Sequence, residues 1–330
     1  MKIRDYKRFC IVDTTYSLML YLLFASEQEI RETFFFFQQG VPDTVKRFFP
    51  ARKEFVAPNS KSRIWNSLSW LLFQLKAWLL YRPPRGAVIF AHDHLFMSNA
   101  LLYDRDYYLL EDCPGVFSAN RELIRRYWDQ KGRDVLPGPL APRRFIRRTY
   151  GNNDRCVGIL AIKVSGEDYM DPGRFIVVDL ESCWRAMNER KKAFILQIFG
   201  ITDDILVCAK QRSAVLFTQP LTVDCFIPEQ ELVRIYEKLL AGVAEDDLVI
   251  KPHPRDPVRY EEYFPGALVL RSCAPFQLLS ALGMKFSTGI TIFSSAISAL
   301  PKDAKIVWGG SEVHPVIFQR FGHIDIGAFR

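Results

Sequence analysis

Apolar residues along the chain fall in short runs parted by polar turns, and the runs follow two periods. Phe9–Val12 is a compact apolar run, the polar Thr14-Thr15-Tyr16 follows it, and Ser17–Ala25 continues as a mostly apolar helix. Strand, turn and helix in that order open a βαβ unit. Glu32–Phe37 includes the run Phe34–Phe37 and reads as a buried strand. Over Ser62–Tyr81, Trp65, Leu68, Leu72, Leu75 and Leu79 recur every three or four residues, which predicts a long helix stopped by Arg82-Pro83-Pro84-Arg85. Ala87–Ala91 and Asp106–Leu110 are strands, with a short helix at Leu95–Leu102 between them. Alternation sustained over residues 1–112 predicts a largely parallel, doubly wound sheet.

The second half repeats the pattern. Ala214–Thr218, Asp247–Ile250, Leu268–Leu270, Lys285–Thr288 and Ile306–Trp308 are strand candidates. Glu229–Leu240, Pro275–Leu282 and Ser294–Leu300 are helix candidates; Leu232, Ile235, Tyr236 and Leu239 share one face of the first. Between the halves, Glu122–Asp129 is a predicted helix, Arg133–Arg148 is rich in Pro and Arg, and Ser182–Phe199 is an amphipathic helix suited to a dimer contact. The expected division is 1–150, a helical connector at 151–205, and 206–330. Two α/β halves facing each other make a cleft, and ligands in such folds bind at the carboxyl ends of strands.

Length agrees with this: 330 residues suggest about two domains. Apolar residues at 49% and charged residues at 25% are globular values and exclude a disordered, collagenous or coiled-coil chain. The net charge of +7 favours an anionic ligand or surface without singling out nucleic acid. The basic residues are not interleaved with aromatics in a recognisable nucleic-acid module. The seven cysteines are scattered with no CxxC spacing, which removes zinc-ribbon readings and suits a reducing cytosol. No stretch reaches the roughly 20 apolar residues of a membrane span. No small-residue cleavage site follows the basic start. The expected location is cytoplasmic; the Arg143–Arg148 stretch reads first as a solvated basic linker, the alternative being a peripheral contact with the inner face of the cytoplasmic membrane.

Four segments carry candidate chemistry. Lys251-Pro252-His253-Pro254-Arg255-Asp256 follows a strand directly, so the prolines fix His253 at a carboxyl end between two cations. A histidine there meets a phosphate or protonates a departing one. Ser287-Thr288-Gly289, Thr291 and Ser294-Ser295-Ala296 offer hydroxyls and backbone N–H groups to an anion. Leu110-Glu111-Asp112-Cys113 ends a strand with two carboxylates, either fit to take a proton from an acceptor hydroxyl. Phe217-Thr218-Gln219-Pro220 leads to Asp224, a second carboxylate candidate. His92-Asp93-His94 follows a strand and reads as a polar turn or a substrate-contacting loop; a metal pair there is the weaker reading. Asp104-Arg105-Asp106 matches a metal-binding DxD by spacing alone. Neither GxxxxGK[ST] nor GxGxxG occurs.

In this order, the segments resemble glycosyltransferase family 52, the bacterial lipooligosaccharide and capsule sialyltransferases. The matching pieces are Tyr108–Asp112, Thr218–Leu221, Lys251–Arg255 and Phe293–Ala296. The resemblance implies a GT-B-like fold of two Rossmann-like domains, acceptor side first and nucleotide side second. It implies an inverting, metal-independent transferase moving sialic acid from CMP-sialic acid to a terminal galactose of a surface glycan or glycolipid, with no cofactor. By the same matching, His253 is the general acid or phosphate-stabilising group, and Ser294 and Ser295 hold the CMP phosphate. Lys251, Pro254, Arg255, Thr218, Gln219, Phe276 and Gln277 complete the donor site. His92, Asp93, His94 and Glu111 form the acceptor side. The base is Asp224 or Asp112, with Asp224 slightly favoured. A homodimer is implied. Cys113 and Cys225 stand where the family usually has glycine, and Gln277 stands where a ribose-binding Glu is expected. The alternatives are a transferase using another nucleotide sugar, such as a glucosyl donor, a nucleic-acid-binding protein, or an inactive scaffold.

Overall fold

The computed structural model describes residues 3–58, 63–119, 121, 124, 150–151, 154–166 and 169–329. Most of the predicted Glu122–Asp129 helix and all of Arg133–Arg148 lie outside the described residues. The chain divides into two units, Met1–Met187 and Asn188–Arg330.

The first unit is built on seven parallel strands: β1 (Arg8–Val12), β2 (Thr33–Phe37), β3 (Arg52–Glu54), β4 (Val88–Ala91), β5 (Tyr107–Leu110), β6 (Cys156–Ala161) and β7 (Phe175–Val177). Their order is β3-β2-β1-β4-β5-β6-β7. β1 is flanked on both sides, with Phe9 opposite Phe34 of β2 and Ile89 of β4. A strand flanked by strands and covered on both faces by helices must be apolar throughout. Accordingly, Phe9, Cys10, Ile11 and Val12 are fully buried. The β1-to-helix turn is set by Thr14, whose hydroxyl caps the helix Thr15–Phe24 by accepting from Ser17 N–H at 3.2 Å.

The second unit holds β8 (Ala214–Phe217), β9 (Leu248–Lys251), β10 (Leu268–Val269), β11 (Thr288–Thr291) and β12 (Lys305–Trp308), all parallel, in the order β10-β9-β8-β11-β12. That order repeats β3-β2-β1-β4-β5 of the first sheet. The helix Glu229–Leu239 buries Leu232, Ile235 and Tyr236, as their shared face predicts.

Three local expectations change. Residues 151–205 are not a purely helical connector: β6 and β7 extend the first sheet, and the helix Glu189–Phe199 opens the second unit. The run Ser182–Phe199 is two helices, because Asn188 stops one and caps the next by accepting from Lys191 N–H at 2.9 Å. The fourth strand of the second half begins at Thr288, three residues later than the expected strand. The helix Arg63–Lys76 forms and runs into a π-helical turn, Ala77–Tyr81. Its stripe Trp65, Leu68, Leu72 and Leu79 faces solvent, however, while Trp70, Gln74 and Ala77 face the core. Gln74 is held there by donating to Phe96 O at 2.8 Å.

Candidate active site

In open parallel sheets, ligands bind beyond the carboxyl ends of the strands where strand order reverses. In the first unit that point lies between β1 and β4, with β5 beside them. Asp13 follows β1, His92-Asp93-His94 follows β4, and Glu111-Asp112 follows β5.

These side chains have separate duties. His94 Nε2 lies 3.7 Å from Asp112 Oδ2, and His92 Nε2 lies 3.6 Å from Asp112 Oδ1. The His94 ring stacks between His92, with centroids 5.1 Å apart, and Tyr150, at 4.7 Å. Asp93 turns inward and accepts from Tyr107 Oη (2.8 Å), Tyr150 N–H (3.0 Å) and Gly151 N–H (2.7 Å). Glu111 also turns inward, accepting from Tyr16 Oη at 2.6 Å, Ile162 N–H at 3.2 Å and Gly115 N–H at 3.3 Å. Burial pushes its pKa up to about 7, and those three hydrogen bonds oppose the rise. Asp93 and Glu111 therefore hold the loops, and the outward carboxylate is Asp112, whose side chain is 31% exposed.

The protonation of His92 follows from its neighbours. Ser17 Oγ lies 2.6 Å from Glu111 O and 2.6 Å from His92 Nε2. A carbonyl oxygen only accepts, so the single hydroxyl proton of Ser17 goes to Glu111 and His92 donates its Nε2–H to Ser17. Burial depresses the His92 pKa to about 4, so the ring is neutral at pH 7. His92, His94 and Asp112 have donor atoms within 4.8 Å of one another, a spacing compatible with a divalent cation. In this tautomer His92 would have to lose its Nε2 proton before that nitrogen could ligate an ion.

In the second unit the reversal lies between β8 and β11, with β9 on the other side of β8. Thr218-Gln219 follows β8, Pro252-His253 follows β9, and Ile292–Ser295 follows β11. Thr291 Oγ1 bridges the strands by donating to Phe217 O at 3.0 Å, and accepts from Ser294 N–H at 3.0 Å. Ser294 caps the 3-10 turn Ser295–Ala299, and the Ser295 side chain is half-exposed. Gln219 Oε1 is buried without a hydrogen-bond partner among the described residues.

His253 is fixed by its own loop. Arg255 N–H donates to His253 Nδ1 at 3.1 Å, Asp256 N–H to His253 O at 2.8 Å, and His253 N–H to Thr218 Oγ1 at 3.3 Å. With Nδ1 accepting, the ring proton sits on Nε2. Burial, followed by the charges of Arg255 and Lys251, lowers the His253 pKa to about 4. The neutral ring is thus a hydrogen-bond donor at Nε2, which favours phosphate stabilisation over proton release. Lys251 is buried and donates to Pro252 O (3.2 Å) and Ser272 O (3.0 Å); burial brings its pKa down to about 8.

Other predicted donor residues are placed differently. Arg255 makes a two-pronged pair with Asp224, both contacts at 2.9 Å. Phe276 is buried, its ring edge-on to Phe217 at 4.7 Å, so it is a core contact rather than an exposed stacking face. Gln277 is buried and Pro254 exposed. The two departures from the family pattern cost no backbone strain at the cysteines. Positive φ falls instead on Gly115, at 72°, and on Phe226, at 56°. Asp104 and Asp106 serve as partners of Arg85 and Arg155. Sequence reasoning missed Asp13, Ser17, Tyr150 and Asp256. Asp13 stood at a strand's carboxyl end, the same signal that marks Asp112.

Two parallel sheets of one strand order, each with polar residues at its reversal point, are the framework of a GT-B fold. Residues 51–314 match glycosyltransferase family 52, and the chain belongs to that family. An uncharacterised protein of Haemophilus influenzae is 25% identical over 321 residues, covering 96% of this chain and 98% of that protein. Among solved structures, a 2,6-sialyltransferase of Photobacterium sp. JT-ISH-224, in complex with CMP and lactose, aligns with a TM-score of 0.61 at 12% identity, covering 91% of this chain and 70% of that one. The GT-B domain of a Photobacterium damselae sialyltransferase aligns at 0.55 with 14% identity, covering 91% and 89%. An α-2,3-sialyltransferase of Photobacterium phosphoreum aligns at 0.52 with 12% identity, covering 96% and 95%.

Proposed function

We propose that this chain moves sialic acid from CMP-sialic acid to a terminal galactose of a bacterial surface glycan, lipooligosaccharide or capsule, in one inverting displacement that needs no metal ion. The second unit takes the donor and the first takes the acceptor. The observation that carries the reading is the His253 ring, held by Arg255 N–H so that Nε2–H is available to a phosphate oxygen. Ser294, Ser295 and the unpartnered Gln219 carbonyl suit the remaining oxygens and donors of a nucleotide. The like fold of a structure solved with CMP and lactose is in keeping with this.

Asp112 is the base in this reading. It takes the proton of the galactose hydroxyl as that oxygen bonds to the anomeric carbon. The bond from that carbon to the phosphate oxygen breaks, and the electron pair leaves with CMP. His253 Nε2–H and the Ser295 hydroxyl stabilise the departing phosphate. Asp224 is the weaker base because both its oxygens are engaged by Arg255.

The test is incubation with CMP-sialic acid or UDP-glucose and a panel of galactosides, with released nucleotide and product linkage measured. CMP release that depends on galactoside is expected. UDP release instead would replace the donor, and no release of either would make the chain an inactive scaffold. His253→Ala is expected to slow transfer by about 10²-fold or more; an unchanged rate in a folded variant would remove His253 from this role.

A further inference from the structure

The helix Arg63–Lys76 and its π-turn cover the core with one side only. The other side carries Trp65, Leu68, Leu71, Leu72, Leu79 and Leu80, which are 43% to 64% exposed. Single exposed leucines need no explanation, but a contiguous stripe of this size marks a contact surface. No helix among the described residues is long and apolar enough to cross a membrane.

Charge identifies the partner. From Phe55 to His92 the sequence has Lys61, Arg63, Lys76, Arg82 and Arg85 and neither Asp nor Glu. Where the π-turn ends, Arg82 lies over the rings of Trp78 (5.7 Å) and Tyr103 (5.6 Å), and Lys53 lies over Tyr81 (5.6 Å). Arg82, Arg85, Arg105 and Arg155 share the carboxylates of Asp104 and Asp106, so that end stays positive. Tryptophan and leucine on one face, edged by cations and interfacial aromatics, match the boundary between acyl chains and anionic headgroups. A second copy of this chain would oppose like charges across the same face.

We propose that the Arg63–Tyr81 segment lies in the plane of an anionic phospholipid surface, with the Trp65-to-Leu80 stripe in the acyl boundary and Lys76 and Arg85 at the headgroups. The proposal is independent of the transfer chemistry, because none of these residues belongs to either strand-end site.

The test is co-sedimentation of the full chain with vesicles of phosphatidylcholine alone or mixed with phosphatidylglycerol. Binding is expected only to the mixed vesicles, weakening as salt rises. Leu72→Gln with Leu79→Gln, both on the exposed face, should lower the bound fraction about tenfold or more while circular dichroism and Tm stay unchanged. Arg85→Gln should lower it less. A folded chain that ignores anionic vesicles, or a double variant that binds them as well as the parent, overturns the proposal. A dimer that the double variant turns into monomer, with vesicle binding absent, would assign the stripe to a second copy instead.

Discussion

Ser17 has a single proton and two neighbours at 2.6 Å, Glu111 O, which can only accept, and His92 Nε2. Giving it to the carbonyl fixes the tautomer of a histidine that lies beside the outward carboxylate. Ser17→Ala leaves a buried N–H without an acceptor, at about 1–3 kcal/mol. It should lower Tm and raise the acceptor KM while slow hydrolysis of the donor in water is unchanged; steady-state kinetics against galactoside check this. Asp112→Asn should reduce kcat by about 10²-fold or more, and Asp224→Asn by much less, because general-base catalysis contributes on that scale. The reverse order would return the base to Asp224. His253 and Asp112 were legible in the sequence because each stands directly after an apolar strand. Ser17 was not, since its partner His92 is 75 residues away and only the pairing of β1 with β4 brings them together. Asp256 was silent for the same reason: it looked like the tail of a basic motif, but accepts from Thr218 of another strand end.

Periodicity groups side chains by element without saying which group looks inward. The three- and four-residue spacing of Trp65, Leu68 and Leu72 found the Arg63–Tyr81 element and pointed to its solvent face. The core-facing set contains Gln74 and Ala77, which carry little hydrophobic signal; Phe96 O takes a hydrogen bond from the buried Gln74 amide nitrogen. The strands were easier to place, since a strand buried on both faces is apolar at every position, as Phe9–Val12 shows. Turns between elements are set by close approach. A Cβ at Gly40 would stand 2.0 Å from Asp13 O, and Gly40 N–H donates to Asp13 Oδ1 at 2.7 Å. Gly40→Ala must therefore push the turn after β2 away from the end of β1. A loss of about 2 kcal/mol or more is expected in urea melts, together with loss of transfer activity, since Asp13 shares the reversal point with Asp112.

For the molecule as a whole, buried ionisable groups set the response to acid. His253, at about 4 in the folded chain against an ordinary 6.5, takes its proton more readily when unfolded. Its contribution to stability is present above about pH 6.5 and is lost as pH falls through 4. Glu111 works the other way: raised from 4.5 to about 7, it contributes below 4.5 and loses that contribution as pH rises through 7. Between pH 7 and pH 5, His253→Gln should therefore show a smaller fall in Tm than the parent, and Glu111→Gln a larger one, measured by calorimetry. At this scale, the doubly wound α/β class followed from the alternation, two units from that pattern together with chain length, and the GT-B architecture from the family resemblance. Their boundary at Met187 did not, because β6 and β7 join the first sheet only through pairing with β5. The two sheets repeat one strand order, and each has its own reversal point. Heritable change can thus act on them separately. Under the proposed division, substitutions confined to the ends of β1, β4 and β5 alter the choice of acceptor, while those at β8, β9 and β11 alter the choice of donor. On that proposal, a lineage explores new acceptors by varying residues 1–187 while the donor chemistry of the second unit is inherited intact.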